Sequence, residues 1–295
     1  MSPTGSGTSL ITEPDRQHTT TVAGARVRWM SWGETSLPPV VFVHGGAAHA
    51  WWWSWTVPQL ADRFHVIALD LTGHGDSDHR PDYTFHLWAQ EVLTVAAVAG
   101  GGRPPVLVGH SMGGLVTALA AAVADVPLDG LVVIESPLGP VAQSATRDSD
   151  ALLAREKRYP SVEVAVSRFR PVPPQEDNLD WAVRFIAERS VRDRGDGWGW
   201  KYDQRMFSHH PADRPDELLA TLALVRCRLA VINAGRSAVV DDDAHRRFLA
   251  AAVDRQADHG PMTVRRIEDG GHHLMFDRPA ELLAEIERVL EAWRA

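Results

Sequence analysis

Several short runs in this chain are apolar at every position. Val40-Val41-Phe42-Val43 is the first, Val66-Ile67-Ala68-Leu69 the second and Val106-Leu107-Val108 the third. Leu131-Val132-Val133-Ile134 and Leu229-Ala230-Val231-Ile232 follow, with a weaker run from Val264 to Ile267. A strand wetted on one face alternates apolar and polar residues, so a strand apolar throughout has both faces covered. Between the runs lie helix-length stretches: Phe85 to Ala99, Leu115 to Ala124, Asp241 to Val253 and Pro279 to Trp293. The second is apolar nearly all round and reads as a buried helix. Asp277, ahead of Arg278-Pro279, reads as the N-cap of the last. Buried strands alternating with helices specify an α/β fold, a mostly parallel, doubly wound sheet. In front of it, Val22, Val27 and Trp29 flank the turn Ala23-Gly24, which suits two antiparallel strands from Thr19 to Trp32.

The pattern breaks between Pro137 and Pro215. Pro160, Pro171, Pro173, Pro174 and Pro211 punctuate this stretch, and Trp181, Trp198 and Trp200 sit within it. It holds helical pieces such as Asp180 to Arg189 and no buried strand. The division expected is therefore a mobile polar tail over 1–18, a core made of 19–136 and 216–295, and an inserted helical cap over 137–215.

Bulk properties narrow the function. The 295 residues carry 30 Lys+Arg against 38 Asp+Glu, a net charge of -8, which argues against a nucleic-acid or anionic-membrane binder. Cys227 is the single cysteine, so no intrachain disulfide can form. With no apolar run of membrane length and no basic, apolar leader at the N-terminus, a cytoplasmic location is expected. A homodimer stays compatible with the sequence.

Chemistry enters at Gly109-His110-Ser111-Met112-Gly113, a G-x-S-x-G pattern set between a buried strand and a small-residue helix. A sharp strand-to-helix turn needs small residues at both glycines. It lifts the Ser111 hydroxyl above the sheet and leaves the Met112 N–H free at a helix N-terminus.

With this elbow in view the chain resembles the α/β-hydrolase fold family from about residue 20 to the C-terminus, the insertion apart. The resemblance rests on His44-Gly45-Gly46 after the first buried strand, Asp70-Leu71-Thr72-Gly73-His74-Gly75-Asp76-Ser77 after the second, the elbow at Ser111, and Gly271-His272 after the last. The family's cap enters after the strand that here ends at Glu135. The resemblance implies Ser111 as nucleophile, His272 as general base rather than its neighbour His273, and the Gly46 and Met112 amides as oxyanion donors. His44 is expected to brace the oxyanion loop, His110 to flank the nucleophile, and His74 to be structural. The His209-His210 pair lacks carboxylate or cysteine partners at metal-ligand spacing, so no metal is expected, and no cofactor.

The chain departs from the family at the third triad member. Where the pattern G-x-x-S-D is usual, this chain reads Gly235-Arg236-Ser237-Ala238, and a methyl group cannot orient an imidazole. Some family members carry the acid one strand earlier, which here is Glu135, at the end of an apolar strand where an unpaired charge is costly. Asp241 is the rival, although capping the following helix already explains it. A Ser-His dyad or an inactive relative stays open.

The implied activity is serine hydrolysis of an ester-type or lactone-type carbonyl through an acyl-enzyme, with a Ser111-His272-Glu135 triad. Carbon–carbon hydrolases and cofactor-free perhydrolases share these parts, and a ligand-binding relative without turnover is the alternative from another class. Trp51-Trp52-Trp53 and Trp55 follow the oxyanion loop, and with Trp198 and Trp200 they suggest a small apolar or aromatic ester-like substrate.

Overall fold

A computed structural model of the protein describes residues 11–137, 151, 153–208, 218–255 and 261–294. In chain order its strands are β1 (Arg16–Val22), β2 (Ala25–Trp32), β3 (Pro39–Val43), β4 (His65–Leu69), β5 (Val106–His110), β6 (Gly130–Ile134), β7 (Val191–Asp193), β8 (Trp198–Trp200), β9 (Arg228–Ala234) and β10 (Met262–Ile267). Eight of them form one sheet in the order β1-β2-β4-β3-β5-β6-β9-β10. β2 runs antiparallel to β1 and β4, and the pairs from β4 to β10 are parallel. Every residue of β3, β4, β5 and β6 is buried, as their unbroken apolar runs require. Helices α1 (Phe85–Gly100) and α2 (Met112–Val123) connect β4 to β5 and β5 to β6. Among the described residues no helix is long and apolar enough to cross a membrane.

Three expectations need correction. The chain enters the sheet at Arg16 rather than Thr19, because Arg16, Gln17 and His18 pair with Ser31, Met30 and Trp29. His18 also stacks on Trp29 with ring centroids 4.0 Å apart. An edge strand needs few apolar residues, so its polar start resembles a tail. The remainder of that expected tail, residues 1–10, lies outside the described residues. Second, the insertion expected to be helical also carries two short, partly buried strands: β7 and β8 form an antiparallel ribbon. At three residues each they are too short to display a two-residue period. Third, Asp277 does not cap the last helix, whose N-cap is Arg278. Its carboxylate turns back and accepts from the Gly271 N–H at 2.6 Å. The Asp241 carboxylate, in contrast, does cap the helix Asp242–Arg255, accepting from the Ala244 N–H at 2.8 Å.

The insertion is anchored at several points to the edge of the sheet where the parallel strands end. Leu179 N–H donates to the Phe276 carbonyl (2.9 Å). Trp181 and Phe185, on the helix Asp180–Arg189, meet Trp55 edge-on. Ser190 accepts from His49 Nε2–H (2.9 Å), and Tyr83 donates to Asp203 (2.8 Å). Below this layer the buried pair Arg80–Glu91 (3.1 Å) ties the loop after β4 to α1.

The strand-to-helix turn after β5 depends on close approach. A Cβ on Gly109 would lie 2.3 Å from the Gly113 carbonyl oxygen, and one on Gly113 would lie 2.4 Å from the His44 carbonyl oxygen. Gly109→Ala is therefore expected to reduce the unfolding free energy in urea by about 3 kcal/mol, the upper part of the usual overpacking range. A melting transition unchanged from wild type would show that the turn has room to spare.

Candidate active site

Parallel strands end at a common edge, so residues just beyond β5, β6 and β10 converge there although far apart in sequence. Ser111 follows β5 directly. Its backbone is at φ 54°, ψ −120°, a conformation that non-glycine residues seldom adopt. It is held by its own N–H, which donates to the Ile134 carbonyl at 2.9 Å. Glu135, directly after β6, is also at positive φ (49°), and its N–H donates to the Ile232 carbonyl at 2.9 Å.

His272 lies between them. Its Nε2 is 3.1 Å from Ser111 Oγ, and its Nδ1 is 3.2 Å from Glu135 Oε2. Both His272 and Glu135 are buried. Burial pushes the imidazole down from its ordinary range, which keeps the ring neutral, and pushes the Glu135 carboxyl up. Two donors oppose the second effect. The Ser237 hydroxyl donates to Oε2 and the Ala234 N–H to Oε1, and both favour the carboxylate. Asp241 is spent on its helix cap and has no recorded bond to His272.

His273 reaches neither Ser111 nor Glu135 and packs edge-on against Trp52. His110 is buried and donates from Nε2 to the His272 carbonyl at 2.9 Å, fixing the backbone of the residue beside Ser111. His44 braces its loop as expected: Nδ1–H donates to the Gly45 carbonyl (2.7 Å) and Nε2 accepts from the Leu71 N–H (3.1 Å). His74 is buried against His44. The His209-His210 pair lies outside the described residues. His110, His272 and His273 bring ring nitrogens within 4.8 Å of one another. Protein groups already engage both nitrogens of His272 and Nε2 of His110, whereas neither ring nitrogen of His273 has a hydrogen-bond partner among the described residues.

Gly46 and Met112 face each other across the site. A Cβ on Gly46 would lie 3.8 Å from Met112 Sδ and 3.5 Å from Phe207 of the insertion. Neither amide donates to an acceptor recorded among the described residues.

Several supporting residues went unread in the sequence. Ser237 is one. The residue before the vacated Ala238 position was its only signal. Gln175 is another: its Oε1 accepts from the His273 N–H at 2.7 Å, so the insertion touches the backbone next to His272. Asp70, pushed up to about 6 by burial, accepts from the Ala50 and Asp76 N–H groups and shapes the two loops beside the site.

A cavity of about 280 Å³ opens beside Gly46 and Ala47. Trp52 and Trp200 line it as anticipated, with Tyr159, Phe169 and Tyr202, whereas Trp53 is buried in the core against Phe42. Ser111 and His272 are not part of this lining. A separate pocket of about 190 Å³ reaches His272 from the side of Ala238 and Arg236.

Comparison with known proteins places these features in a family. The model of the alpha/beta hydrolase family matches residues 40–286. The chain is 29% identical over 279 residues to the esterase Rv0045c of Mycobacterium tuberculosis, covering 91% of this chain and 87% of that protein. Among solved structures, E-2-(acetamidomethylene)succinate hydrolase superposes with a TM-score of 0.77 at 19% identity, covering 94% of this chain and 100% of that one. The thioesterase domain from the curacin biosynthetic pathway superposes with a TM-score of 0.73 at 22% identity, covering 92% and 99%.

Seven buried histidines, His44, His49, His65, His74, His110, His272 and His273, all have pKa values lowered by burial, to about 4 for His44 and about 3 for His110. Each stays neutral in the folded chain while the unfolded chain takes up a proton below its ordinary value of 6.5. Their contribution is thus complete above pH 6.5 and lost as pH falls toward the folded values, at about 1.4 kcal/mol per pH unit per group. Asp70, raised to about 6, acts in the opposite sense below that pH. Urea unfolding is expected to show stability falling steeply from pH 7 to pH 5, and a flat profile would mean that these rings charge without unfolding.

Proposed function

The chain belongs to the alpha/beta hydrolase family, and within it we propose a serine hydrolase that cleaves an ester-type or lactone-type carbonyl through an acyl-enzyme. The reading rests above all on His272, whose two ring nitrogens lie within hydrogen-bond reach of Ser111 Oγ and Glu135 Oε2 at 3.1 and 3.2 Å. The similarity to a mycobacterial protein named an esterase supports the same class of bond.

In this reading His272 Nδ1–H donates to the Glu135 carboxylate, which fixes the tautomer and leaves the Nε2 lone pair facing the Ser111 hydroxyl. Ser111 Oγ attacks the carbonyl carbon as its proton moves to Nε2. The carbonyl oxygen takes up the negative charge and accepts from the Gly46 and Met112 amides. Nε2–H then protonates the leaving alkoxide, the C–O bond breaks, and the acyl group remains on Oγ. Water repeats the sequence: Nε2 takes its proton, hydroxide adds to the acyl carbon, and Ser111 leaves with the proton returned. The burial that lowers the His272 pKa suits a base that must be neutral at the start. The carboxylate offsets the cost of the imidazolium formed at the tetrahedral stage. The insertion, on this account, is a cap whose aromatic residues receive the apolar part of the substrate.

Ser111→Ala is expected to abolish hydrolysis of p-nitrophenyl acetate and labelling by a fluorophosphonate probe, leaving at most the roughly 10³–10⁴-fold residual that a site without its nucleophile retains. Wild-type protein that folds yet resists the probe would favour the binding relative instead.

Glu135→Gln is expected to lower kcat by about 10⁴. Asp241→Asn should leave kcat near wild type and reduce stability by at most about 0.5–2 kcal/mol, the range for a lost cap. Measuring kcat and Tm for both variants separates the assignments. A large kinetic loss confined to Asp241→Asn would transfer the acid's role.

A further inference from the structure

The walls and the rim of the cavity beside Gly46 differ in chemistry. Trp52, Tyr159, Phe169, Trp200 and Tyr202 make the walls apolar and aromatic. Arg155, Lys157, Arg168 and Arg170 stand around them, all four exposed, and no carboxylate joins the lining among the described residues. In a chain of net charge -8, four cations at one opening are a local excess of the opposite sign.

The acid nearest in sequence does not neutralise them. Glu156 is held by Arg158 at 2.7 Å, and Arg158 is also paired with Asp196 at 2.8 Å. Arg155, Lys157 and Arg168 have no ion-pair partner among the described residues. Arg170 donates from Nη1 to the Ser167 and Phe169 carbonyls of its own turn, which occupies that nitrogen and leaves its charge uncompensated. Like charges gathered at one mouth repel each other, and an entering anion relieves that repulsion. A guanidinium also offers an anion paired donors in a fixed plane.

We propose that the substrate carries an anionic group, a carboxylate or phosphate, at the end of an apolar segment remote from the scissile carbonyl, and that Arg155, Lys157, Arg168 and Arg170 receive it. The inference rests on the hydrolase reading for the position of the carbonyl, beside Gly46. The aromatic walls then hold the connecting chain, and the cations select its far end.

The test compares mono-p-nitrophenyl suberate, with its free distal carboxylate, against neutral p-nitrophenyl octanoate. At low salt kcat/KM should favour the suberate ester by roughly tenfold, as several partly solvated charge pairs acting together allow. The ratio should fall toward one in 0.5 M NaCl as the charges are screened (~0.5 M is well above the salt that shortens the Debye length to under 10 Å). It should fall likewise in Arg168→Gln and in the triple variant Arg155→Gln/Lys157→Gln/Arg168→Gln. Using the ratio within each variant cancels any general loss of activity. Competition by free suberate and by octyl phosphate separates the two anions, the tighter competitor naming the group preferred. Equal kcat/KM for both esters at low salt, or a preference unmoved by salt and by the triple variant, would overturn the proposal. If wild type cleaves neither ester, the hydrolase reading fails, and suberate binding read from Trp52 and Trp200 fluorescence decides the anion site separately. Quenching that the triple variant weakens about tenfold supports it, and no quenching, or quenching unmoved by the variant, overturns it.

Discussion

Ser111 and Glu135 stand at the ends of neighbouring strands with backbones that L-residues avoid, at φ 54° and 49°. Such conformations cost of order 1–3 kcal/mol each and persist only where the surroundings over-determine them. The surroundings here are the sheet itself. The Ser111 N–H extends the ladder to Ile134 and the Glu135 N–H extends it to Ile232, so each strained residue is pinned by the strand beside it. α2 begins at once after Ser111, with Gly109 and Gly113 permitting backbone contact that any side chain would block. The direction of both side chains, and hence everything built on them, follows from this pinning.

The position of Glu135 is the second consequence. Glu135 and the loop after β9 approach each other because β6 and β9 are parallel neighbours. That loop carries Ala238, and the carboxylate beside His272 comes from the adjacent strand end, with donors from Ser237 of the loop and from the amide of Ala234 at the end of β9. A buried carboxylate with one partner would be costly, but with three donors around it the charge is shared. His272 thus meets an acceptor prepared by two strands rather than one. His110 and Gln175 both hold the peptide between His272 and His273, one from the elbow and one from the insertion.

The insertion completes the site from above. It docks through aromatic edges on Trp55, through Ser190 on His49, and through Leu179 on the segment that follows His272. These contacts tie the insertion to the sheet edge beside the site, and the cationic, aromatic cavity opens next to Gly46. Polar side chains so enclosed, above all the buried histidines around the site, tie its integrity to a pH at which imidazoles are neutral.

The buried strands were legible in the sequence because full burial removes the alternation that a half-wet strand must show. The elbow was legible because close packing admits only small residues at Gly109 and Gly113. Glu135 was legible for a related reason: a carboxylate ending an apolar strand needs a partner. The helix-capping role of Asp241 could also be read, since a cap acts over three residues. The strand at Arg16 and the β7–β8 ribbon could not, because an edge strand and a three-residue strand lack the length or burial that produces a pattern. Asp277 misled for a different reason, since a residue placed to cap a helix can instead turn to a nearer amide. Local sequence thus determined the elements and the side chains that meet at the sheet edge. Only the tertiary structure decided that Ser237 and Gln175 support the site and that four cations share one opening, because those contacts join segments tens of residues apart and leave no periodicity to read.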